Sequence, residues 1–298
     1  MVLIVGDVML DRFVFGTVDR INPEAPVPIL EVSEVSHNLG GAGNVAMNLI
    51  TLHEEVTLVG IVGDDDDGKL VQTLCKRVGI NFIPLAKDRI TTLKERYVAL
   101  PYRQQLLRVD RELRLPVEDK YWDATFSKIR GLQPEYIIVS DYAKGVITPY
   151  GMRKLRTLDV PLFVDPKPQN IELYKDSFLV KPNLRELRII LNRPVANDDH
   201  AVEEAGRMLY DRLRANLVIT RSEKGATLIS KDGIVHVPAE RREVYDVTGA
   251  GDTFIAALVW GYKRTGNLIE AVRLANKAAG IAVSKLGVAT VTVDEVLG

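Results

Sequence analysis

An α/β fold built on a mostly parallel, doubly wound sheet is predicted for this 298-residue chain, and three observations predict it. Short β-branched runs recur along the chain and stop at Gly or polar turns. Stretches with the 3.6-residue spacing of amphipathic helices separate those runs. The runs are apolar throughout instead of alternating, as strands covered by helices on both faces must be.

The first run, 2–5 (VLIV), stops at Gly6; the others are 56–61, 136–139, 161–164 and 217–220. Helical patterns occupy 44–52, 69–78, 121–129, 184–191 and 201–213. Two more, 251–263 and 268–285, close the chain with Thr265-Gly266-Asn267 as the turn between them. In such sheets ligands sit outside the carboxyl ends of the strands, so residues just after each run are the first site candidates. Two segments break the rhythm. Residues 27–35 (VPILEVSEV) and 91–110 (TTLKERYVALPYRQQLLRVD) alternate apolar and polar residues over strand lengths. Alternation implies antiparallel strands with one wet face, here a small sheet inserted as a lid, from about 12–38 and 89–112. With no internal repeat, low-complexity tract or long linker, one domain spanning 1–298 is expected.

Hydrophobic residues make up 46% and charged residues 27%, enough apolar matter for a large core. A formal net charge of −1 gives no reason to expect a nucleic acid or an anionic membrane as partner, so an anionic small substrate must be met by local Arg and Lys. Cys75 is the only cysteine, which excludes an internal disulfide. His37, His53, His200 and His236 lack the spacing of a zinc helix. The apolar N-terminus is too short to span a bilayer and lacks a basic leader, so a cytoplasmic protein is expected.

The most informative stretch is 246–252, DVTGAGD, followed at once by the apolar TFIAALVWGY. Gly249, Ala250 and Gly251 remove side-chain bulk where a helix begins. Their N–H groups can converge on one concavity, reinforced by the positive end of the helix dipole. That suits the charge on a phosphoryl group in transfer. Asp252, in the first turn, can accept the proton of an attacking hydroxyl. A plain helix start with glycines for a turn is the bland alternative, and a bare GxGD pattern does not exclude it.

In company with four other motifs, DVTGAGDTF resembles the C-terminal signature of the ribokinase, or phosphofructokinase-B, family of sugar kinases. LGGAGN at 39–44, with Gly40, Gly41 and Asn44, is similar to its N-terminal signature. NLRE at 183–186 is similar to its N-x-x-E motif, TRSEKG at 220–225 to its nucleotide-side turn, and ANKAA at 275–279 to its adenine-side helix. The order along the chain is the family's. The resemblance implies a ribokinase-like three-layer α/β/α core with a β lid, and ATP and Mg²⁺ as cofactors. It implies Asp252 as base and Gly249, Ala250 and Gly251 as the anion hole. Glu186 and Asn183 would hold Mg²⁺ and its waters, Mg²⁺ needing few carboxylates. Thr220, Arg221, Ser222, Gly225, Asn276 and Ala279 would line the nucleotide. Asp246 and Thr248 would frame a K⁺ site. Taken alone, Glu186 reads rather as part of a solvated helix face, with Arg185 and Arg188 beside it.

VGDVMLDR at 5–12, RINPEAPVP at 20–28, SDYAKG at 140–145, Asp165-Pro166-Lys167 and Lys285-Leu286-Gly287 are similar to one branch, the heptose 7-phosphate kinases of lipopolysaccharide-precursor synthesis. Met9 stands where ribokinase has an Asn before its substrate Asp, here Asp11. The branch implies transfer from ATP to the anomeric hydroxyl of D-glycero-D-manno-heptose 7-phosphate. The HxGH-type motif of the nucleotidyltransferase fused to some of its members is not in these residues, so the kinase half is expected. Asp7, Asp11, Asn44 and Asp141 would meet the sugar. Arg103, Arg108, Lys144 and Lys167 are candidates for its phosphate, Arg being suited to a bidentate grip. Arg103 and Arg108 read equally as wet-face residues paired with nearby acids. Another sugar, sugar-phosphate or nucleoside kinase and a non-catalytic binding protein remain as alternatives. A dinucleotide fingerprint is absent after the first run. A homodimer paired through the lids is expected, because open strand edges invite pairing.

Overall fold

The apolar N-terminal run forms β1 (Val2–Gly6), whose side chains divide between two cores: Val2 and Ile4 enter one, Leu3 and Val5 the other. The computed structural model describes residues 1–298 apart from 87, 241, 242, 286 and 288, so Leu286 of the Lys285-Leu286-Gly287 match lies outside the described residues. After β1 come β2 (Val8–Ile21), β3 (Pro28–Gly41), α1 (Ala42–Thr51), β4 (Val56–Ile61), α2 (Asp66–Arg77) and β5 (Asn81–Ala86). Next are β6 (Thr92–Ala99), β7 (Gln104–Arg111), α3 (Asp119–Gly131), β8 (Tyr136–Ser140), α4 (Pro149–Arg156), β9 (Leu162–Asp165) and β10 (Leu179–Val180). The chain continues through α5 (Leu184–Leu191), α6 (Asp199–Leu213), β11 (Asn216–Thr220), β12 (Ala226–Ser230) and β13 (Gly233–Val237). It closes with α7 (Ala250–Thr265), α8 (Leu268–Val283) and α9 (Val293–Leu297).

The main sheet runs β13-β12-β11-β10-β9-β8-β1-β4-β5. Its pairings are parallel except where β12 joins β11 and β13 at one edge. One core holds α1, α2, α7 and α8 against the sheet and the other holds α3 to α6, which makes the three layers expected from uniformly apolar strands. Strand order reverses between β1 and β8, so the crevice at their carboxyl ends is where a ligand belongs. Helix α7 starts beside that crevice and is buried all round from Asp252 to Gly261. Each of its large apolar side chains contributes about 1.5–3 kcal/mol by burial, which fixes its N-terminus firmly. No described helix is long and apolar enough to cross a membrane.

The second sheet has the order β3-β2-β6-β7. Its two hairpins, β2–β3 and β6–β7, are antiparallel as alternation predicts, but β2 and β6 pair in parallel from Met9 opposite Thr92 to Gly16 opposite Ala99. The fully antiparallel lid expected from the sequence is therefore corrected. Both strands leave the carboxyl edge of the main sheet, after β1 and β5, and run outward side by side. Face alternation cannot distinguish that arrangement from an antiparallel one. A charged cluster fastens this sheet to α2: Arg12 and Arg111 both donate to the buried Asp67, while Arg12 also donates to Glu95 at 3.0 Å and to His37 at 3.1 Å.

Candidate active site

Asp7 follows β1 and Asp141 follows β8, at the point where the sheet order reverses. Asp7 accepts hydrogen bonds from the backbone N–H of Tyr142 (2.7 Å), Lys144 (3.0 Å) and Val146 (3.2 Å). Burial pushes its carboxyl up to about 6, against the pull of those donors and with a further rise from Asp141. Asp141 accepts from the Ala143 N–H (2.7 Å), the Asn170 side chain (2.8 Å) and the Tyr174 hydroxyl (2.5 Å). Both were expected on sugar hydroxyls. Here their oxygens serve the protein, because a buried carboxylate needs donors at hand, and they shape the turn that carries Tyr142 and Lys144.

Asp252 is buried at the start of α7, where Gly249 supplies a left-handed cap (φ 80°). One carboxylate oxygen accepts from the Asn44 side-chain amide at 2.8 Å and the other from the Tyr142 hydroxyl at 2.7 Å. Asn44 stands in the first turn of α1, and α1 is tied to α7 by Thr253, whose hydroxyl donates to Asn48 at 3.0 Å. Burial raises the Asp252 carboxyl above its ordinary value, opposed by Asn44, Tyr142 and the positive charge of Lys181. The backbone N–H groups at the start of α7 have no partners within the helix itself, although the Ala250 N–H contacts the Val247 carbonyl at 3.3 Å. A side-chain carbon at Gly251 would meet the Lys181 Nζ at 3.7 Å and Asp165 at 3.9 Å, ordinary contact distances, so this position faces those two residues.

Lys181 and Asp165 form a buried ion pair at 3.0 Å. Burial pushes the Asp165 carboxyl up to about 6; Lys181 opposes this, while Glu186 and Asp252 add to it. Beside the pair, Asn183 and Glu186 cap α5 reciprocally: the Glu186 N–H donates to Asn183 at 2.9 Å and the Asn183 N–H to Glu186 at 3.0 Å. The second Glu186 oxygen accepts from Lys167 at 3.1 Å. Glu186 is 8% exposed, so it is not part of a solvated helix face. Burial alone would lower the Lys167 ammonium; the acids around it, Glu186 first, carry it above its usual value. Lys167 therefore lies among Glu186, Asp165 and Asp141, over the Tyr142 ring at 4.9 Å.

At the turn expected to face a nucleotide, Asn183 and Thr220 form a parallel bridge beyond β10 and at the end of β11. The Arg221 N–H donates to the Gly225 carbonyl at 2.7 Å and closes the turn through Ser222. The Arg221 guanidinium, expected near ATP, is buried instead among Asn197, Asp199, Thr227 and His236. That network fixes the turn from beneath. Asn276 donates to the Pro238 carbonyl at 2.8 Å, with Ala279 one turn further along α8. Thr248 donates its N–H to Asp246 at 2.8 Å, a local turn on the approach to α7.

On the lid, Asp11 accepts from Arg96 at 2.6 Å and lies against Gly40, where any Cβ would fall 2.2 Å from its oxygen. Gly41 caps α1 and follows directly. Lys144 pairs with Glu112, and Arg108 pairs with Asp110 at 2.9 Å. Arg103 is exposed in the turn between β6 and β7. Sequence reasoning missed Tyr142, Lys181, Lys94 and Arg96. Lys181 carried one signal: a lysine directly after an apolar pair and before Pro182, in a position that is buried only if the charge is paired.

The sequence matches the pfkB family of carbohydrate kinases over residues 1–295. It is 42% identical to the bifunctional protein HldE of Caulobacter sp. (strain K31) and 41% identical to that of Paramagnetospirillum magneticum, each over 306 residues. These matches cover all of this chain and 62% of each relative. In fold it is similar to phosphofructokinase-2 from Escherichia coli (TM-score 0.84, 18% identity, covering 100% of this chain and 96% of that one). It is also similar to ribokinase from Thermotoga maritima (TM-score 0.78, 20% identity, 99% and 97% covered). The chain belongs to the pfkB family of carbohydrate kinases, phosphotransferases with an alcohol group as acceptor.

Proposed function

We propose that the chain transfers the γ-phosphoryl group of ATP to the anomeric hydroxyl of D-glycero-D-manno-heptose 7-phosphate, giving the 1,7-bisphosphate used for ADP-heptose and lipopolysaccharide-core precursors. The observation that carries the chemistry is Asp252, buried between Asn44, Tyr142 and the start of α7. The acceptor hydroxyl gives its proton to the Asp252 carboxylate as its oxygen attacks phosphorus. Asn44 and Tyr142 aim that carboxylate. The N–H groups of Gly249, Ala250 and Gly251 and the Lys181 ammonium meet the charge on the transferring group. The resemblance of 5–12, 20–28 and 140–145 to heptose 7-phosphate kinases, with the similarity to bifunctional HldE proteins, supports the acceptor.

The oxygen donors on the phosphoryl side suit Mg²⁺: Glu186 and Asn183 would hold it, mainly through water, with Asp165 adjacent. Bound there, Mg²⁺ would offset phosphate charge. Asp246 and Thr248 would serve K⁺, and Thr220, Ser222, Gly225, Asn276 and Ala279 would line the nucleotide. Asp11 would take a sugar hydroxyl, with Gly40 and Gly41 giving the sugar room, while Asp7 and Asp141 position the loop between them. A cytoplasmic homodimer joined through the lids fits the exposed Val32, Val35 and Leu107 of the small sheet.

The test is ADP release from Mg-ATP with heptose 7-phosphate, fructose 6-phosphate, ribose and adenosine offered separately. Turnover on the heptose phosphate alone is expected. Preference for another acceptor would overturn the heptose assignment, and silence on all four would overturn the kinase reading of the site.

A further inference from the structure

Lys94 projects from β6 on the cleft side of the lid, in register with Asp11 on β2. Three further cations surround it, and each has a carboxylate: Arg96 pairs with Asp11, Arg108 with Asp110 and Lys144 with Glu112. Among the described residues the Lys94 ammonium makes no hydrogen bond or ion pair; it lies over the Tyr142 ring at 5.4 Å. Burial lowers its pKa and Asp11 opposes this, while Lys144, Arg96 and Arg108 lower it further. A half-buried ammonium with three like charges near it and Asp11 already engaged by Arg96 is costly, and the face of one tyrosine offsets little of that cost. Such an imbalance in a cleft marks a place where an anion docks.

Tyr142 fixes where that anion sits relative to the chemistry. Lys94 lies over the face of its ring, while its hydroxyl donates to Asp252 at 2.7 Å. An acceptor with an anionic group on Lys94 and a hydroxyl on Asp252 therefore spans a single tyrosine, the reach of a monosaccharide phosphorylated at the end away from its reacting hydroxyl. We infer that Lys94 is the specificity-determining contact for the acceptor's phosphate, with Arg96, Arg108 and Lys144 around it as auxiliary donors. This rests on the sugar-phosphate reading above. It leaves Arg103 at the hairpin tip and Lys167 on Glu186 outside the grip.

The experiment compares wild type, Lys94→Gln and Lys94→Arg, with acceptor KM, ATP KM and kcat measured for heptose 7-phosphate and for the unphosphorylated heptose. For the phosphorylated acceptor, Lys94→Gln is expected to raise KM about 10- to 100-fold, the loss of one charge-assisted contact, while ATP KM stays constant. Lys94→Arg should recover most of the loss. Inorganic phosphate should compete with the acceptor in wild type and at least 10-fold more weakly in Lys94→Gln. An unchanged KM in Lys94→Gln, or an equal rise with the unphosphorylated heptose, would overturn the Lys94 assignment and leave the acceptor reading intact. Wild-type turnover confined to unphosphorylated sugars would overturn both.

Discussion

Asp252 receives two hydrogen bonds from residues far away in sequence, Asn44 and Tyr142, and both favour its charged form. Burial outweighs them and raises its pKa, so the base is lost to protonation at a higher pH than an exposed aspartate would be. A base must be ionised to accept a proton, and kcat should therefore fall as pH drops through that raised value. Tyr142→Phe removes one of the donors and raises the pKa further. The acid limb of its kcat–pH profile should move to higher pH; a limb that stays in place would show that Tyr142 does not touch the base during turnover. Asp252→Asn should lower kcat by roughly 10² to 10⁴ with ATP affinity little changed, and near-normal turnover would remove Asp252 from its role. Asp252 and Asn44 are legible in the sequence because each sits in a glycine-marked turn at a helix start. Tyr142 and Lys94 are not, because their importance lies in contacts that only the packed fold creates.

The lid is held by its charged fastening to α2 as well as by strand pairing. Asp67 accepts from Arg12 on β2 and Arg111 on β7, so one carboxylate joins both hairpins to the core. Asp67→Ala should cost about 2 kcal/mol, below the usual figure for a buried pair because Arg111 is half exposed and Arg12 keeps Glu95. Amide exchange in β6 and β7 should quicken and acceptor KM should rise, with ATP KM unmoved. Unchanged exchange would mean that strand pairing alone fixes the lid. Of the main-sheet strands, β1, β4, β8, β9 and β11 were legible as apolar runs, β5, β12 and β13 were missed, and α5 keeps its predicted bounds. Strand β10 has two residues, too few to show a period. The parallel pairing of β2 with β6 depends on where the chain leaves the main sheet, which no local pattern encodes.

Across the whole molecule, the carboxyls at the carboxyl edge of the sheet set an unusual pH response. Asp7 and Asp165 are each raised from 3.8 to about 6, mainly by burial. A raised carboxyl favours folding in its protonated form, so its contribution is complete below about pH 4 and lost as pH rises through about 6. Asp65, Glu95 and Glu112 lie below their usual values and act in the opposite sense. Asp7→Asn should thus flatten the decline that Asp7 imposes between pH 4 and 6, by an amount on the order of 1–3 kcal/mol, read from urea unfolding at several pH values. An unchanged profile would mean that Asp7 titrates normally. The burial that raises these groups also makes the crevice a dry place for phosphoryl transfer. The most direct measurement is ³¹P NMR of the chain with Mg-ATP and heptose 7-phosphate. A phosphate ester at the anomeric carbon should grow in step with ADP for wild type and be nearly absent with Asp252→Asn. ADP without a new ester, or an ester formed at the wild-type rate by Asp252→Asn, would contradict transfer to a sugar phosphate from this site.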